Sequence, residues 1–141
     1  MELPLLPRAA DSAMGRTVYI ANCERCHGKN GEGEKPAGNV TYTYPPLWGP
    51  ASYNTGAGMY RISRLAGYVK NNMPNTVSYH TPQLTNEEAW DVAAFINSQP
   101  RPWKDTSKDW PDIRKKPKDH PFGPYADNKT ERQHKYGPYF P

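Results

Sequence analysis

Apolar side chains recur along this chain at helical spacing in three stretches, separated by long polar segments. In Ser12 to Asn22 they fall at Met14, Val18 and Ala21, with Asp11 or Ser12 placed to cap the first turn. Gly15 and Tyr19, four apart, share a face on which another helix can cross closely. From about Gly58 to Asn71 the apolar positions are Met59, Ile62, Leu65, Ala66 and Val69, and Pro74 forbids continuation. The third stretch opens at Thr85 with Glu88 three residues on, the pattern of a capping box, and runs to Ser98 before Pro100. Its Ala-rich face is expected on Gly15, and Trp90 against Tyr19. Met14 and Met59 are expected to face the core. The fold class read from these periods is all-α.

These helices define a domain over residues 11–99, preceded by a flexible lead-in at 1–10. From residue 100 to 141 the composition shifts to proline, with no helical or alternating period. This tail holds ten Lys or Arg against six Asp or Glu, so the net charge of +4 resides there. Trp103, Trp110, Phe122, Tyr125, Tyr136, Tyr139 and Phe140 are too many large aromatics for a segment with no docking surface. An extended strap laid over the domain is expected, turning at Phe122-Gly123-Pro124 and Tyr136-Gly137-Pro138. The modest charge, interleaved with acids and prolines, argues against a nucleic-acid partner.

With 35% apolar residues and a mean hydropathy of −0.96, a protein-only core would be thin, and a buried cofactor would help to fill it. No run approaches the eighteen apolar residues of a membrane span. Leu3 to Leu6 is too short for the core of a signal peptide, so export would require a leader already removed.

The only cysteines, Cys23 and Cys26, stand in Cys23-Glu24-Arg25-Cys26-His27, the haem c attachment pattern. Thiols at this spacing reach the two vinyl groups of one haem edge as thioethers, and the adjacent imidazole of His27 lies beneath the iron. The first helical stretch followed at once by this motif resembles the N-terminal helix of class I c-type cytochromes.

The second axial ligand separates an electron carrier from a reactive haem. Met14, Met59, Met73, His80, His120 and His134 are the candidates, Met1 being too peripheral. Met73 is preferred, because Pro74 ends the helix and biases Met73 toward an extended conformation that presents its soft sulfur from a loop. His80, also on a loop, is its rival. Pro45 or Pro46 supplies a carbonyl acceptor for the second ring nitrogen of His27, while Leu47 and Trp48 wall the porphyrin. Tyr53, Asn54, Arg61 and Arg64 are within reach of haem propionates.

The attachment run, Pro45-Pro46-Leu47-Trp48-Gly49, Asn72-Met73-Pro74, Glu88 to Ile96, Phe122 to Asp127 and Gln133 to Pro138 together resemble a thiosulfate dehydrogenase-type cytochrome c domain. That resemblance covers nearly the whole chain and implies a class I cytochrome c fold, His/Met ligation and a periplasmic or otherwise exported setting. Dehydrogenases of that family carry two haems, the catalytic one on a separate domain and bound by His and Cys. One attachment motif and no spare cysteine therefore match the electron-accepting half. The expectation is a monohaem electron carrier between redox protein partners, itself not an enzyme. A haem enzyme or ligand-binding cytochrome with a labile Met73 bond, a subunit of a thiosulfate-oxidising complex, and a docking module built on the tail are the alternatives.

Overall fold

The computed structural model describes residues 2–75, 77–78 and 80–140, so Met1 lies outside them. Five α-helices and no strand occur among the described residues. α1 (Ser12–Asn22) is capped by Asp11, whose carboxylate accepts from Ala13 N and Met14 N. α2 (Glu24–His27) follows almost at once. A 3₁₀ turn at Gly58–Tyr60 leads into α3 (Ile62–Asn72). α4 (Asn86–Asn97) carries the capping box of Thr85 and Glu88, and α5 (Glu131–Tyr136) carries one of Thr130 and Gln133.

The stretch expected as one helix from Gly58 to Asn71 is divided, because Arg61 is extended at φ −79° and ψ 126°. α5 is a further departure, since the tail shows no helical period in its apolar residues. Its signal is the polar pair Thr130 and Gln133, each side chain accepting from the other's backbone N–H.

α1 and α4 cross at Gly15. A Cβ added there would stand 1.9 Å from the Asp91 carbonyl oxygen and 2.9 Å from Phe95 Cβ, so only glycine permits this approach. The buried stripe of α1 is therefore Gly15 and Tyr19, one residue out of register with the Met14-Val18-Ala21 stripe of the sequence. Met14, expected in the core, is 57% exposed. Tyr19 also departs from its expected partner Trp90: its ring packs on Trp48 at 5.2 Å and Phe95 at 5.4 Å. Trp90 instead meets Tyr139 of the tail edge-on at 6.1 Å. Met59 is half-buried against the core.

α4 is buried on nearly every face, including Ala89, Trp90, Val92, Ala93, Ala94 and Ile96. Both chain ends reach the elements around it. Leu3 is buried and its N–H bonds Ser63 O at 2.9 Å, while Ala10 N–H bonds Tyr136 O at 2.8 Å. Arg8 clasps Asp91 with bonds of 2.8 and 2.9 Å. Residues 2–10, read as a flexible lead-in, are thus engaged with the domain, because Leu3 finds a buried place and Arg8 a carboxylate.

In the tail, Asp119 is buried and accepts from Arg61 Nε at 2.8 Å, Ser63 N at 3.0 Å and Ser63 Oγ. Phe122 stacks on Tyr60, and Tyr139 donates to His134 O at 3.0 Å. Among the described residues, no helix is long and apolar enough to cross a membrane.

Candidate haem site

The end of α1 delivers Cys23, whose N–H closes on Tyr19 O at 2.8 Å. Cys26 N and His27 N then bond Cys23 O at 3.1 and 2.9 Å, so both thiols and the imidazole leave one turn of chain. The Tyr19 hydroxyl donates to Gly28 O at 2.6 Å and pins the end of that turn. Burial pushes the Cys23 thiol up to about 11, so it stands protonated at neutral pH.

His27 is 7% exposed, and its Nδ1 lies 2.8 Å from the carbonyl oxygen of Pro45. A carbonyl only accepts, so Nδ1 carries a proton and, in the neutral tautomer, the lone pair lies on Nε2. Among the described residues nothing hydrogen-bonds Nε2. The intervening loop brings Pro45 to this place. Gly33 N bonds His27 O at 2.7 Å, Glu34 pairs with Tyr44 in an antiparallel bridge, and Leu47 N bonds Gly31 O at 2.8 Å. With Tyr44 held in that bridge, the acceptor is Pro45; Pro46, counted among the cofactor-contacting residues, does not supply it.

Trp48 is buried between Tyr19 and Phe95. It packs on Gly31, whose φ of +63° suits glycine and where a Cβ would fall 2.3 Å from the indole ring. Leu47 is half-buried against the same core.

Met73 ends α3 in the extended conformation that Pro74 imposes, at φ −128° and ψ 143°, and is half-buried against the core. Its rival His80 is exposed. The two tail histidines are engaged elsewhere: His134 by Lys118 O and Asp127 Oδ1, and His120 between the rings of Trp110 and Phe122. Arg61, expected at a haem propionate, is instead ion-paired with Asp119 at 2.8 Å and Glu2 at 3.1 Å, and Arg64 also turns to Glu2. These acids precede α1 and follow α4 in sequence, so the helical pattern around Arg61 did not reveal them. Tyr53 donates to Asn97 Oδ1 at 2.8 Å, and burial pushes its hydroxyl up to about 12.

This donor set fits haem c: two thiols on one turn, and a buried imidazole whose Nε2 has no hydrogen-bond partner among the described residues. No cluster of three or more His, Cys, Asp or Glu able to hold a metal ion occurs among the described residues.

Residues 12–100 match the family model for cytochrome c, and the chain belongs to that family. It is a class I c-type cytochrome whose cofactor is covalently bound haem c with its iron. It is 46% identical over 97 residues to a thiosulfate dehydrogenase of Allochromatium vinosum, covering 69% of this chain and 34% of that protein. The thiosulfate dehydrogenase of Stutzerimonas stutzeri is 42% identical over 101 residues, covering 72% of this chain and 31% of that protein. The solved thiosulfate dehydrogenase TsdBA of Marichromatium purpuratum superposes with a TM-score of 0.67 at 40% identity, over 81% of this chain and 23% of that one. The chain thus spans about a third of the length of the curated relatives it matches. These names correct the expectation of a carrier that is not an enzyme: the relatives are dehydrogenases, and this chain matches their cytochrome portion.

Proposed function

We propose that this chain is the electron-transferring haem domain of a thiosulfate dehydrogenase-type enzyme, with His27 and Met73 as axial ligands of the iron. Haem iron supplies one-electron chemistry by alternating between ferric and ferrous. The chain's own residues fix the ligand field. Pro45 holds the His27 ring plane by accepting from Nδ1, and donation to a carbonyl raises the basicity of the other ring nitrogen. With haem bound, the soft Met73 thioether would favour the ferrous state relative to a second imidazole. The observation that carries the reading is the buried His27 held by Pro45 next to both thiols, with Met73, half-buried and set extended after α3 by Pro74, as the supporting candidate for the second ligand.

Thiosulfate is the proposed electron source at a separate site of the whole enzyme, a redox protein is the proposed acceptor, and the setting is periplasmic. Optical and paramagnetic spectra of the oxidised holoprotein test the ligation. A low-spin spectrum is expected, converting to high-spin in Met73→Ala and unchanged in His80→Ala. Unchanged ligation in Met73→Ala would overturn the assignment.

A further inference from the structure

Trp103 is 74% exposed, against 36% for Trp110 and 46% for Phe140 elsewhere in the tail. Its backbone is nevertheless fixed on both sides. Thr55 N–H bonds Pro102 O at 2.9 Å, Lys104 N–H bonds Thr55 Oγ1 at 2.8 Å, and that hydroxyl donates to Lys104 O at 3.3 Å. Thr55 itself is buried. Just before, Pro100 O accepts from Gly49 N–H at 2.7 Å, and Arg101 lies over the Tyr53 ring at 4.2 Å while donating to Leu47 O at 3.2 Å and Ile96 O at 2.6 Å. Residues 100–104 are thus pinned along their length to the chain that runs on from Pro45 through Leu47 and Trp48, and the indole stands out in water. An indole left in water forgoes the gain of burial, and one on a fixed backbone has less freedom to lose when a partner arrives.

The charge beside it in the chain is positive. Lys104 and Lys108 are exposed and in no ion pair among the described residues, whereas the Asp105 carboxylate accepts from Ser107 N at 2.9 Å. Across 101–118, seven Lys or Arg stand against three Asp. A fixed indole next to free ammonium groups has the make-up of an interface anchor with a charged rim, tryptophan being a residue on which binding energy concentrates. The excess cations select an acidic partner. Asp105, Asp109 and Asp112, interleaved with them, oppose a uniformly anionic lipid surface but can each be matched by a protein. A segment pinned to the His27 side of the domain also favours a partner that takes electrons over a second copy of this chain. We propose that Trp103 anchors the docking face for the electron acceptor, an acidic redox protein: the indole enters an apolar pocket of that protein, and Lys104 and Lys108 meet carboxylates at its rim. The proposal rests on the reading of this chain as an electron-transferring haem domain and is independent of Met73 as a ligand.

Stopped-flow oxidation of the ferrous holoprotein by an acidic plastocyanin tests it, with a basic cytochrome c as the comparison acceptor. One electron passes from the haem iron to Cu(II), leaving ferric haem and Cu(I). The plastocyanin reaction is expected to be the faster, with its advantage shrinking as salt is raised. In Trp103→Ala its second-order rate constant should fall about 10- to 100-fold, with the reduction potential and haem spectrum unchanged. Lys104→Gln combined with Lys108→Gln should lower the rate roughly two- to tenfold and flatten its salt dependence. Trp103→Ala reacting at the unsubstituted rate, or a faster reaction with the basic cytochrome c, would overturn the proposal. So would a Trp103→Ala variant that keeps its rate but loses self-association in sedimentation velocity, or loses binding to phosphatidylglycerol vesicles, since the face would then belong to a second copy or to lipid. Failure of the haem-domain reading itself is separately visible, as absence of a reducible haem spectrum in the unsubstituted protein.

Discussion

His27 and His134 are both buried, and both set Nδ1 against a backbone carbonyl, at 2.8 Å from Pro45 O and 2.7 Å from Lys118 O. They differ at the other ring nitrogen. Nε2 of His134 meets Asp127 Oδ1 at 2.8 Å and its ring stacks on Tyr125 at 4.0 Å, whereas Nε2 of His27 has no partner among the described residues. An imidazole held between two acceptors has no lone pair to offer a metal. Burial and an oriented ring are therefore not enough to mark a ligand. The free nitrogen beside two thiols is. The α1, α2 and Pro45 side thus holds two free thiols and a ring nitrogen with no partner among the described residues, whereas the tail holds its buried histidine at both ring nitrogens.

The sharpest way to break this contrast is to exchange the two histidines' fates. His27→Ala is expected to remove the low-spin haem spectrum altogether, whereas His134→Ala should leave the spectrum intact and lower unfolding free energy by roughly 1–3 kcal/mol through the orphaned acceptor. An altered spectrum in His134→Ala would erase the distinction. Next in size is Asp119→Ala. It strips a buried acceptor from Arg61 and Ser63, and urea unfolding followed through the haem band should show about 3 kcal/mol lost with ligation unchanged.

The smallest effect is in pH. Burial, with Lys116 adding to it, holds His120 below its ordinary value, so the unfolded chain takes up a proton before the folded one does. The His120 contribution is complete above about 6.5 and declines as pH falls below that, until folded His120 itself protonates. His120→Phe should flatten that decline in thermal unfolding curves. An unchanged slope would show that His120 has no part in it.

Much of the cofactor side was legible because its signals are local. Spacing alone joined Cys23, Cys26 and His27, Pro74 set the backbone of Met73, and Thr85 and Glu88 capped α4. Gly15 and Tyr19 were recognisable as a crossing face, but the stripe through Met14 was misread, because a glycine adds nothing to a hydrophobic count while marking the closest approach. What escaped depends on groups distant in sequence. Arg61 looks free until Asp119 folds back on it, Trp90 has no visible partner until Tyr139 arrives, and Arg101 between two prolines carries no pattern at all.

The bond from Ala10 to Tyr136 joins positions near opposite ends of the described chain. Closing so long a loop lowers chain entropy more than closing the short span from His27 to Pro45, and contacts between distant residues form more slowly. In kinetic terms the two sides of the domain are expected to mature at different times, the cradle around Cys23 and His27 closing while the tail is still loose and docking of Tyr136 and Tyr139 against α4 following.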